Sequence, residues 1–133
     1  MNKAFIRATL ISAGLLHTLT GLLMLVVPEW FFDNIGTFPP YNRHYTGDVG
    51  AFLLPLGLGL FWAAREPARH RLFIAMAVLA NIVHLLNHVY DDVQADTIFS
   101  TQTISLIVFV GFLIAALWLL QQRPVIHAEQ SLR

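Results

Sequence analysis

Three histidines and one aspartate stand in stretches of this sequence where an ionisable side chain is costly to hold: His17, Asp48, His84 and His88. His84 and His88 are four residues apart, so a helix presents their imidazoles on one face, while His17 and Asp48 come from two other apolar segments. Three chemistries suit such a set. The first is a metal centre, iron, copper or zinc, held by three imidazoles and a carboxylate, which would make the chain a small oxidoreductase. The second is haem b, with His17 and His84 as axial ligands and Gly14 and Gly21 leaving room for the porphyrin. The third is a metal-free polar pocket that binds a quinone or other small lipophile, or relays a proton from the outer face.

Other polar residues gather near these four. Asn81, Asn87 and Asp91 follow the spacing of the histidine pair and would orient it, and Arg43 and His44 can lean over the group as a lid. Plainer roles compete. A histidine pair near a helix end can bond only to loop backbone and water. Asp48 can be the N-cap of its helix, and Arg43 can bind lipid headgroups or pair with Asp91 or Asp92. His70 in a basic turn and His127 in the tail take no part in the site.

The elements that must position these residues are long and apolar. The composition is 56% hydrophobic and 12% charged over 133 residues, far from the soluble average, and points to one integral membrane domain covering residues 1–133. Crossing the hydrocarbon core takes about 20 apolar residues in a helix, and four segments come close: 4–27, 47–64, 70–90 and 102–121. Between them lie an outer loop, 28–46, and a terminal tail, 122–133. The first segment is too long for a signal h-region and lacks a small-residue cleavage site before Pro28, so it reads as a span. A short interfacial helix is expected after Pro28, and the tight turn around Pro67 should make the second and third spans antiparallel neighbours. At 1.5 Å rise per residue, His17 and His84 fall in one layer, with Asp48 and His88 about one turn further out.

Lys3, Arg7, Arg65, Arg69, Arg71, Arg123 and Arg133 fall on one side of the four spans and only Arg43 on the other, which sets both termini on the cytoplasmic side. The expectation is an all-α, antiparallel four-helix bundle in a bacterial cytoplasmic membrane. Composition also excludes. With no cysteine there is no disulfide, thiolate metal site or thiol nucleophile, and with net charge zero and scattered cations nucleic acid is not a partner. No P-loop, dinucleotide fingerprint or nucleophile elbow is present.

Four short spans in a chain of this size, with Asn42-Arg43-x-x-x-Gly47-Asp48-x-Gly50 opening the second, resemble the small bacterial membrane proteins grouped as DoxX-like. The resemblance implies the four-helix membrane fold. Some members of that group are linked to quinone-coupled oxidation of sulfur compounds. From a different class, a compact bundle with little mass outside the membrane also fits a non-enzymatic small subunit or assembly factor of a larger membrane complex. The glycine faces suit a homo-oligomer.

Overall fold

The computed structural model describes residues 2–122, and among them every regular element is helical. The order is α1 (Asn2–Val26), α2 (Pro28–Asn34), α3 (Arg43–Ala63), α4 (Arg71–Gln94) and α5 (Thr101–Gln121). The tail expected over 122–133 lies, from residue 123 on, outside the described residues. Helix boundaries follow local chemistry. Pro28, with φ already helical and no N–H to lose, starts α2. Asn42 caps α3, its Oδ1 accepting the Tyr45 N–H at 3.1 Å, and the Thr46 hydroxyl donates to the Asn42 carbonyl at 3.0 Å. Ser100 caps α5 by accepting the Thr103 N–H at 3.2 Å.

Two boundaries differ from expectation, and both matter for the site. α3 begins at Arg43, four residues before residue 47, so Asp48 lies inside the helix and Asn42 is its cap. α4 continues past Tyr90 to Gln94, which brings Asp91 and Asp92 into the helix and out of the loop.

α1, α3, α4 and α5 are each long and apolar enough to cross a membrane, and the chain is a multi-pass membrane protein. Large apolar side chains such as Leu19, Phe52, Leu72, Val83, Leu86, Val108 and Trp118 point outward, as suits a surface that meets lipid. Hydrocarbon gives no drive for apolar helices to associate, so close van der Waals packing must hold them, and glycine supplies it here. Gly14 and Gly21 of α1 lie against Gly57, Leu54 and Gly50 of α3. A Cβ at Gly21 would come within 2.6 Å of the Leu54 nitrogen, and one at Gly57 within 2.7 Å of the Gly14 carbonyl. Early residues of α1 meet late residues of α3, so these two helices run past one another in opposite directions.

α1 and α3 form the most extensive helix pair, and α4 packs chiefly on α5. α3 and α4, consecutive in sequence, touch only sparsely, where the Phe73 ring lies against Gly59 near their turn. The second and third spans, expected as antiparallel neighbours, thus meet over a short stretch only. The physical reason is that α3 turns its glycine face to α1.

The interior divides along its length. At the end holding the turn between α3 and α4, the turn end, Ile6, Leu10, Ala13, Leu60, Ala63, Ile74, Ala77, Leu113, Ala116 and Leu120 form an aliphatic core. Toward the loop end, the buried positions include His17, Asn81, Asp92, Thr103 and Thr46.

Candidate functional site

His17 is 6% exposed, its ring 5.7 Å from that of Phe109 on α5 and beside the Asn81 side chain of α4. Its Nδ1 bonds to the Ala13 carbonyl at 2.8 Å. A carbonyl can only accept, so Nδ1 carries the proton, and in the neutral ring Nε2 keeps its lone pair for another partner. Asn81 is 3% exposed and donates from Nδ2 to the Ala77 carbonyl at 2.8 Å. Both polar groups are thus pinned by the backbone one turn earlier on their own helices.

His84 and His88 form a pair on α4 whose Nε2 atoms are 3.1 Å apart. His84 is exposed and His88 half-buried. His84 lies near His17, and His88 near Asp92 one helical turn on. Asp92 is buried and accepts from the Ser100 N–H at 2.9 Å and from the Ser100 hydroxyl at 3.3 Å, and that hydroxyl also meets Thr103 Oγ1 at 3.0 Å. The result is a line of polar groups, His17, His84, His88, Asp92 and Ser100, leading from mid-depth to the loop end.

Sequence spacing places Asp91 and not Asp92 in the site, because the partners that hold Asp92, Ser100 and Thr103, lie across a loop. Two signals were present: Asp92 follows Asn81 and His88 at helical spacing, and Ser100-x-x-Thr103 is an N-cap pattern eight residues on. The other expected participants divide. Asn87 donates to Asp91 at 3.3 Å on the exposed side of α4. Asp48 pairs with His44 at 3.5 Å, one helical turn away, and both side chains are largely exposed, at 59% and 90%. Its partner is thus on its own helix.

Arg43 lines a recess with Val27, Trp30 and Tyr41 at the elbow between α1 and α2, and among the described residues it makes no ion pair with Asp91 or Asp92. The room expected beside Gly14 and Gly21 for a porphyrin is taken by the backbone of α3. Among the described residues, no three histidine, aspartate or glutamate side chains stand close enough together to hold one metal ion.

Helical phase relates the two walls. Asp48, Phe52 and Pro55 share a face of α3 with Gly59, and Ala80, His84, Asn87 and Asp91 share a face of α4 with Phe73. Gly59 and Phe73 are where those helices touch. Beyond that contact Phe52 is 79% exposed and His84 is uncovered. The chain matches no family model, no curated protein and no solved structure.

Proposed function

We propose that this chain is a small membrane protein, oriented with both termini in the cytoplasm in an antiparallel bundle, that binds a small lipophile of the quinone class against the histidine face of α4. The observation that carries this reading is the uncovered His84–His88 pair on a helix long and apolar enough to span the membrane. Counting from Arg71, His84 lies about 20 Å along α4, well inside a hydrocarbon layer of about 30 Å. Two imidazoles facing lipid tails at that depth would lose hydrogen bonds that water gives them elsewhere. A molecule with an apolar body and carbonyl oxygens would restore them, its ring resting on Phe52 and Pro55 and its oxygen accepting from an imidazole N–H. The line from His17 through His84 and His88 to Asp92 would let protons pass between that molecule and the loop end. The resemblance to the DoxX-like group is consistent with such a ligand.

The test is thermal unfolding in mild detergent with a short-chain ubiquinone analogue. A ligand that binds only the folded state raises the midpoint by mass action. The shift should shrink in His84→Ala and persist in full in His70→Ala, whose ring packs at a tilt on Trp62 at the opposite end. A flat response in the unchanged protein overturns the reading. Co-purification of a defined protein partner that covers α4 would replace it with the subunit role.

One observation favours a second reading. Two nitrogens bound at about 2.1 Å to one metal ion stand about 3.0 Å apart at right angles and about 3.4 Å apart at tetrahedral angles, and the two Nε2 atoms, at 3.1 Å, fall in that range. His84 and His88 would then hold iron, copper or zinc, with the remaining positions filled from outside the pair. Elemental mass spectrometry checks this: near one metal per chain, lost in His88→Ala, supports it, and no metal after reconstitution refutes it.

A further inference from the structure

The turn end carries a basic cavity, chemically unlike the histidine face of α4. A cavity of about 440 Å³ opens there between the start of α1, the turn joining α3 to α4 and the end of α5. Lys3, Arg7, Arg65 and Arg69 line it with one carboxylate, Glu66, and its accessible apolar wall is formed by Pro67, half-buried, and Ala68, exposed. Glu66 reaches Arg69 at 3.7 Å with both side chains largely in solvent, a pairing that neutralises little. Among the described residues, the other three cations make no ion pair.

Such a concentration of like charge is held together by the fold. Arg71 donates from Nη2 to the Leu120 carbonyl at 3.0 Å, tying the start of α4 to the last turn of α5, where a cation meets the negative end of the helix. The Arg69 and His70 N–H groups bond back to Glu66 and Pro67 and fix the turn. The start of α1, the turn and the end of α5 thereby share one space, which at the ends of the spans is headgroup level. Its size lies within the range of small-molecule sites.

We infer that this cavity binds the phosphate of an anionic phospholipid, the guanidinium groups meeting the phosphate oxygens and the apolar wall receiving the start of an acyl chain. A free phosphate would use the same cations but gain nothing from Pro67 and Ala68. Arginine suits the role because its planar fork matches phosphate oxygens two at a time.

The experiment measures binding to the purified full chain in neutral detergent, by native mass spectrometry and by thermal midpoint, with phosphatidylglycerol, phosphatidylcholine and inorganic phosphate as separate probes. Phosphatidylglycerol should bind and raise the midpoint, while phosphatidylcholine and inorganic phosphate at equal concentration should not. Arg7→Gln and Arg65→Gln should each weaken that binding about fivefold, and Arg43→Gln, at the opposite end, should leave it unchanged. Because an arginine variant can fold poorly, the exposed Lys3→Gln serves as a further variant with the same expected direction. Equal effects of the two lipids, an equal effect of inorganic phosphate, or binding indifferent to all three substitutions would each overturn the assignment.

Discussion

The Nε2 atoms of His84 and His88 face each other at 3.1 Å, with ring centroids 4.9 Å apart. Two neutral imidazoles meeting nitrogen to nitrogen share a single proton, so one ring donates and the other accepts. The pair is therefore a unit whose members fix each other's tautomer. Removing either ring frees the other to rotate and disorders the surface presented to a ligand.

The first expectation comes from that coupling. His84→Ala and His88→Ala should each weaken binding of the quinone analogue about tenfold, as expected for loss of a hydrogen bond with its support. The double variant should be little worse than either single one, because contacting residues act non-additively. Titration of the four proteins by thermal shift provides the measurement, and independent, multiplying losses would break the idea of a unit.

A second expectation concerns the glycines between α1 and α3. Gly57→Ala forces a methyl against the Thr18 and Gly14 backbone and should destabilise the fold by about 1–3 kcal/mol, the usual cost of overpacking. Gly111→Ala meets nothing within 4 Å and should be neutral or stabilising by up to about 1 kcal/mol, since alanine is the better helix former. Denaturation in one detergent compares the two directly. Equal losses in both would mean that α1 and α3 are not packed through Gly57.

Caps offer a third. Ser100→Ala removes the acceptor of the Thr103 N–H and a donor to Asp92, and should cost about 1 kcal/mol. Asp92→Ala should lower the unfolding midpoint more than Asp92→Asn, which keeps an oxygen for the Ser100 N–H. Equal midpoints for the two Asp92 variants would remove that hydrogen bond from the account.

Topology can be read with thiol reagents, because the chain contains no cysteine of its own. A single Ala68→Cys, in the turn between α3 and α4, should react with an impermeant maleimide only after cells are opened. Asn34→Cys, at the end of α2, should react in intact cells. The reverse pattern would invert the proposed orientation.

Much of the frame was legible in the residues. The four spans show as apolar runs of sufficient length, and Pro28 announced a helix of its own. Less legible was which helix meets which. The heptad-spaced glycines Gly14 and Gly21, and Gly50 and Gly57, mark faces made for close approach, but spacing alone does not say that they approach each other. The histidine pair was visible because i, i+4 contacts are local. Asp48 instead meets His44 on its own helix, a local contact one turn away that depth alone does not reveal. Asp92 escaped for the complementary reason, since its partners Ser100 and Thr103 lie across a loop whose path the sequence does not state.

The aliphatic core at the turn end has an electrical meaning. His17 lies about 14 Å from the loop end of α1, less than half the length of that helix. A proton entering past Asp92 and stopping at His17 would traverse only that part of the transmembrane field, about 1 kcal/mol at 100 mV against about 2.3 for a full crossing. On the turn-end side of His17, Leu10, Ala13, Leu60 and Leu113 belong to the buried aliphatic core, which would act as a dielectric plug. A site built this way would exchange protons with one compartment, respond weakly to voltage, and conduct no leak to the other side.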